Sequence, residues 1–436
     1  MKEILLYCHN RSPRLEYVID FIFREVLDTS VRISNSRSVL KDHELVINYS
    51  PEEIKSVFRI VPSGLLDEQG IKDRDISVIR DDDMVYLFPV KAKDFDFDLF
   101  SAVFFMLSRY EEYLPFEKDR YGRYKVTNSI AWKEKFLDKP VVNIWIYKLT
   151  KQLSEYYPGL SFPEPQCAFI PTIDIDNPWA FLNKSFYRKI GGISKDIISI
   201  NYNKLAYRLS ILRMIRRDPY DSFDFIKEKH KEDLKIFYLL GTRSRHDSKI
   251  SLRNPAWNKI VKELSEIFEP GLHPSFHSNK KPKFINEEKR NLESLTGREI
   301  KISRQHFLRL SFPSTYRNLI NAGITGDYSM GYAEISGFRA GTSYAFSFYD
   351  ILNETKTELK IHPFILMDRT LKDYMNLNTE EAKDLISGLI ETIKKFGGNF
   401  VSVWHNESLG TAVEWEGWDE VYDFLLEKAQ ELNFMK

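Results

Sequence analysis

The chain has 436 residues, 43% of them hydrophobic and 29% charged, which is enough to bury a sizeable core and to divide into more than one domain. Lys and Arg total 63, as do Asp and Glu, and a formal charge of zero argues against a nucleic-acid footprint spread over the whole molecule. Cys8 and Cys167 lie far apart with no CxxC spacing, which excludes a disulfide framework and a thiolate zinc site.

The opening residues, MKEILLYCHN, turn polar without a small-residue cleavage site, so they read as a first strand and the expected location is cytoplasmic. Short β-rich runs at 44–48, 76–79 and 84–90 then mix with helical patterns at 15–27 and 97–114. Together they predict a smaller α/β domain over residues 1–165, with no catalytic pattern of its own. The run Leu99–Leu107 is the longest apolar stretch and about half of the ~20 residues a membrane-spanning helix needs, so no transmembrane segment is expected.

After Pro163 and Pro165 the pattern changes to seven short apolar runs, each followed by a loop or helix. They are Ala168–Ile173, Lys235–Leu240, Gly271–Leu272, Ile300–Ser303, Ile324–Gly326, Leu359–Ile361 and Asn399–Trp404. Trp257–Phe268 is apolar at helical spacing, and Thr379–Phe396 opens with a Thr cap and acids and stops at Gly397-Gly398. Strands alternating with helices predict a parallel sheet over residues 166–436, closed as a deformed (β/α)7-type barrel. Between the first two runs, residues 183–217 carry nine Lys/Arg against one acid, Asp196, with Phe, Tyr, Ile and Leu interleaved. Such a stretch suits an anionic membrane surface or a phosphorylated substrate, although a solvated helix face is the favoured reading.

Three groups of residues sit where strands of that barrel end. Thr172-Ile173-Asp174-Ile175-Asp176 places two carboxylates at i and i+2, where one can bind a metal and the other act as a base; capping of the next helix is the alternative. His273-Pro274-Ser275-Phe276-His277 spaces two imidazoles at i and i+4, on one face of a helical turn, with Pro274 suited to the first helical position. Val403-Trp404-His405-Asn406 ends the last run with a histidine suited to general-acid work. Arg304-Gln305-His306 follows the fourth run and can face the same cleft, for which Arg304 and His306 are candidate substrate contacts.

In order and residue type these motifs resemble the polysaccharide deacetylase family, carbohydrate esterase family 4, over about residues 166–436. The resemblance implies Asp174 as catalytic base, Asp176, His273 and His277 as metal ligands, and His405 as acid. Gly337-Phe338-Arg339-Ala340-Gly341 is similar to the family's arginine loop, without its usual proline, and implies that Arg339 orients the base. Asp368 in Leu366-Met367-Asp368-Arg369 is the candidate partner of the acid histidine. Ser108–Tyr113 and Asp119–Arg123 look like a segment often placed before the deacetylase domain in bacterial members.

The expected function is therefore metal-dependent removal of N-acetyl groups from an N-acetylated sugar or glycan precursor, which can be phosphate- or lipid-linked. An Asp/His/His donor set suits zinc, with iron, cobalt or nickel able to replace it. Trp404, and Trp179 after the first motif, are candidates to shape a slot for the acetyl methyl or a sugar face, core packing being the alternative. Two other readings compete: an amidohydrolase acting on a non-sugar C–N bond, and a non-catalytic glycan-binding or assembly protein.

Overall fold

The computed structural model describes residues 3–81, 84–241, 244–247, 250 and 252–433. Near the N-terminus, β1 (Ile4–Cys8), β2 (Val31–Ser34), β3 (Val46–Tyr49) and β4 (Phe58–Arg59) form a parallel sheet in the order β2-β1-β3-β4. Every residue of β1 and β3 is buried, as a parallel strand covered on both faces requires. A separate antiparallel hairpin joins β5 (Val78–Asp81) to β6 (Met84–Leu87).

Two helices carry this region. Ser12 accepts a hydrogen bond from the Leu15 amide and Pro13 opens the first, Pro13–Ile19, which continues as a π-helical segment through Val26. The second, Leu99–Leu107, is capped by Asp98 and buried along its whole length. An apolar helix with no polar face is stable in water only inside a protein, and this one packs among the first helix, the helix Val141–Tyr156, β6 and the strand Phe346–Asp350.

Among the described residues the larger sheet has nine strands: β7 (Cys167–Ile175), β8 (Lys235–Tyr238), β9 (Glu269–Leu272), β10 (Ile302–Ser303), β11 (Gly326–Asp327), β12 (Phe346–Asp350), β13 (Thr355–Ile361), β14 (Leu366–Met367) and β15 (Gly398–His405). Their order is β12-β13-β11-β10-β9-β8-β7-β15-β14, and every pairing is parallel except β12 with β13. Helices Phe223–Lys229, Pro255–Ile267, Lys283–Thr296, Ser314–Asn321, Thr379–Phe396 and Trp418–Asn433 connect or follow these strands. The result is an α/β fold in which a curled sheet forms a deformed, half-closed barrel.

Seven of the nine strands coincide with the predicted runs. β12 and β14 were not anticipated: Phe346–Asp350 lies in a run rich in Ser and Tyr, and β14 is two residues long. The cap of Thr379–Phe396 also differs. Asn378, not Thr379, is the N-cap, accepting from the Glu380 and Glu381 amides while the Glu381 carboxylate accepts from the Asn378 amide.

The N-terminal region and the barrel share one apolar core. Tyr17 donates to the Ser347 carbonyl at 2.8 Å, and the buried Arg14 pairs with Glu354 at 2.6 Å. The segment Gly337–Gly341 is the main seam. The Phe338 amide donates to the Leu137 carbonyl and the Val142 amide to the Gly341 carbonyl, both at 2.8 Å. Gly337 has φ +142°, and a Cβ there would lie 2.5 Å from the Leu137 carbonyl oxygen; only glycine fits.

Candidate active site

The parallel register aligns the ends of adjacent strands, so residues far apart in sequence meet at one rim. β15 sets His405 opposite Asp174 on β7, and β10 sets Ser303 opposite Leu272 on β9, bringing Arg304 beside His273. At this rim a cavity of about 560 Å³ is lined by Asp174, Asp176, His273, His306 and His405.

Asp176, His273 and His306 form the candidate metal centre, with one ligand atom from each lying within 4.8 Å of the others. His273 Nδ1 lies 2.6 Å from the Arg304 carbonyl. A carbonyl can only accept, so Nδ1 carries the proton and Nε2 presents its lone pair 3.3 Å from Asp176 Oδ1. His306 Nε2 lies 3.4 Å from Asp176 Oδ2, and its Nδ1 faces Asp247 at 3.8 Å. Asp247 is itself fixed by the amides of Phe276 and Ser244.

The electrostatics favour a cation here. Burial acts to raise the Asp176 pKa, but His306 and His273 outweigh it and hold the carboxylate well below its usual range. Burial acts to lower the His306 pKa, but Asp176 and then Asp247 outweigh it and move it up to about 9. Asp176 Oδ1 is buried and has no hydrogen-bond partner. A carboxylate with an orphaned oxygen, facing one imidazole nitrogen with each of its oxygens, is the donor set of a divalent metal, so the residues fit such an ion.

Asp174 is held differently. Its Oδ1 accepts from Arg304 Nη1 at 2.7 Å, and its Oδ2 lies 3.9 Å from His273 Nε2. Arg304 is completely buried, and it also donates from Nε to the Tyr328 carbonyl at 3.0 Å and from Nη2 to Thr172 Oγ1 at 2.7 Å. Its guanidinium also lies over the Phe237 ring at 4.5 Å. Across the cavity, His405 Nδ1 donates to Asp368 Oδ1 at 2.8 Å, which leaves Nε2 for the cleft. Asp368 also accepts from the His405 amide, the Arg369 amide and Ser408 Oγ. Burial acts to lower the His405 pKa, yet the Asp368 carboxylate outweighs it and carries the group up to about 9.

The structure brings Asp174, Asp176, His273, Arg304, His306 and His405 together, with Asp368 directly behind His405. Four candidates lie elsewhere. His277 is exposed: residues 273–280 are irregular backbone and turn, not helix, so the i, i+4 spacing does not align the two rings. His306, placed by the strand pairing rather than by local spacing, stands in the position expected of His277. Arg339 does not reach Asp174; it is buried against Glu112, donating to its carboxylate at 2.6 and 2.9 Å. Its loop serves the seam, and Arg304 is the arginine on Asp174. Trp404 points to the opposite face of β15 from His405 and packs against Trp418 and Tyr422, and Trp179 packs against Trp257 and Phe223.

Sequence reasoning also missed the contribution of the N-terminal region to the cavity. Arg120, Tyr121 and Arg123 line it, and Arg309 Nε from the barrel ties this loop down through the Tyr121 carbonyl at 2.9 Å. The Phe307 ring lies against Tyr121, tilted, with ring centroids 4.8 Å apart. Phe307 and Leu308 both adopt left-handed backbone, at φ 61° and 54°, which turns the chain sharply after His306. No signal in the local sequence marks this turn, since neither residue is Gly, Asn or Asp.

Residues 4–158 match a family of unknown function, DUF7033. No curated protein is similar enough to match the chain. Among solved structures, the chain is similar to a polysaccharide deacetylase from Mycobacterium smegmatis, with 13% identity and a TM-score of 0.39 over 62% of this chain and 86% of that one. It is similar to a polysaccharide deacetylase from Bacillus cereus at 10% identity and a TM-score of 0.31, over 62% and 89% of the two chains. A structure of Puue allantoinase matches at 11% identity and a TM-score of 0.37, over 63% and 87%.

Proposed function

We propose that this chain is a metal-dependent hydrolase that removes the acetyl group from an N-acetylated saccharide. The observation that carries the reading is the division of labour between two carboxylates: Asp176 faces two imidazoles with an unpartnered oxygen, while Asp174, beside it, is bound to a buried arginine.

Amide hydrolysis at neutral pH needs an activated water, a stabilised oxyanion and a proton for the leaving amine. A divalent metal held by Asp176, His273 and His306, zinc being the best match to these donors, would polarise the acetyl carbonyl and acidify a water. Asp174 accepts the proton of the attacking water at Oδ2, because Arg304 occupies Oδ1 and fixes the orientation of the carboxylate. His405, protonated and braced by Asp368, donates from Nε2 to the departing nitrogen. The C–N bond breaks, and amine and acetate leave. Tyr121 and Phe307 offer aromatic faces on which a sugar ring can stack.

The test is metal content and acetate release from N-acetylated saccharides, measured on the wild type, His306→Ala and His277→Ala. The expected result is about one metal per chain and acetate release in the wild type and in His277→Ala, with both lost in His306→Ala. Metal retained with no acetate released from any saccharide would overturn the deacetylase reading in favour of a glycan-binding protein or a hydrolase of another C–N bond.

A further inference from the structure

The loop after β7 extends into a helical hairpin, Phe186–Ile198 and Tyr202–Leu212, before the chain returns to the barrel. At 100° per residue, Phe186, Tyr187, Ile190, Ile197 and Ile198 fall on one stripe of the first helix. In a globular protein such a stripe faces the core. Here it faces outward: Phe186 is 70% exposed, Tyr187 86% and Ile198 81%, with Ile190 and Ile197 also exposed. Ile200, Tyr202, Met214 and Ile215 extend the apolar surface past both ends of the hairpin.

The hairpin is nevertheless built as a unit. Arg208 Nε donates to Asp196 Oδ2 at 2.5 Å, linking the two helices, and the same guanidinium lies over Phe181 at 4.6 Å. Gly192 lies against the Arg208 guanidinium, where a Cβ would come within 2.6 Å of Nη1 and the side chain would have to shift. Asp218 clamps the base by accepting from the amides of Ala180, Phe181 and Leu182 at 2.7 to 2.9 Å. With Asp196, the one acid between 183 and 217, consumed inside, the charge left outside is positive: Arg188 and Lys195 flank one edge of the stripe and Lys189 the other.

We propose that this hairpin docks the protein on an anionic lipid bilayer. Exposed aromatic and aliphatic side chains bordered by cations, with low net hydrophobicity, are the chemistry of a helix lying in the headgroup region. A protein partner of ordinary composition has no reason to meet so uniform a positive border, whereas anionic lipid headgroups complement it. The hairpin belongs to the connection that leaves the barrel rim at Asp174 and Asp176, so docking tethers that rim to the bilayer.

The test is sedimentation of the full chain with phosphatidylcholine vesicles containing phosphatidylglycerol, against phosphatidylcholine alone. The expected result is binding to the anionic vesicles, weakening as salt rises, with no comparable binding to neutral ones. Ile190→Asp with Ile197→Asp, and separately Arg188→Ser with Lys189→Ser and Lys195→Ser, each lower partition by about tenfold or more at an unchanged melting temperature. As a second measurement, Tyr187→Cys is labelled with an environment-sensitive fluorophore, the native Cys8 and Cys167 being buried; its emission shifts to the blue on adding anionic vesicles. Three outcomes overturn the proposal: no binding of the wild type at low salt, binding that survives both sets of substitutions, or a wild-type dimer abolished by the Ile190→Asp, Ile197→Asp pair without vesicle binding. None of these readouts depends on deacetylation, so they stand apart from the test of the reaction.

Discussion

Asp174 lies on β7 and Asp176 just past its end, and both face one cavity, yet their partners assign them different chemistry. Arg304 is the residue that separates them, and its fork geometry satisfies Asp174, Thr172 and a carbonyl at once. Arg304→Lys keeps a charge but loses the fork, and is expected to lower kcat/KM for acetate release by roughly a hundredfold while metal content stays near that of the wild type. The pH profile reports on His405. With its pKa raised to about 9 by Asp368, the acid stays protonated through neutrality, and the rate should fall as pH rises through about 9. Removing the carboxylate with Asp368→Asn takes away the largest of the groups that oppose burial, so this alkaline limb should move to lower pH; a limb that does not move would assign it to another group.

At the scale of elements, the site depends on strand ends and the seam on glycine. The sequence spacing His273–His277 suggested a local chelate, but no helix forms there, and pairing of β9 with β10 brings His306 instead. Local periodicity cannot see across a sheet. The Gly337–Gly341 loop looked like catalytic machinery for a similar reason: its residue types fit, and its neighbours were unknown. Gly337→Ala should lower the melting temperature by more than Asn378→Ala. The second removes only a helix cap worth about 1 kcal/mol, whereas the first forces a Cβ against a backbone carbonyl in a left-handed position. Thermal unfolding of the two variants side by side decides this.

Across the whole molecule, the N-terminal region and the barrel meet through a buried ionic group. Glu112 pairs with Arg109 at 2.9 Å and with Arg339 at 2.6 Å, all three nearly without exposure. Burial acts to raise the Glu112 pKa, but Arg339 and Arg109 outweigh it and hold it below the usual range. A depressed folded-state value means stability present above the unfolded glutamate's pKa and lost as pH falls through the folded one. Glu112→Ala leaves both cations buried, and should cost about 3–5 kcal/mol in denaturant unfolding, with the acid sensitivity reduced. Because one apolar core spans both parts, a single transition is expected for wild type and variant alike.

The sequence by itself determined the α/β class, seven of the barrel strands, and a rim holding Asp174, Asp176, His273 and His405, because strand and helix periodicity and strand-end residues are local properties of the chain. Asp368 was also legible, directly after a short apolar pair. Tertiary structure alone decided that His306 replaces His277 beside Asp176, that Arg304 and not Arg339 holds Asp174, and that Trp404 belongs to the core. It also decided that residues 120–123 reach the cavity from the N-terminal region, and that the apolar stripe of 186–198 faces outward. Each of these is set by which strands pair and which faces pack, and those contacts join residues tens to hundreds of positions apart.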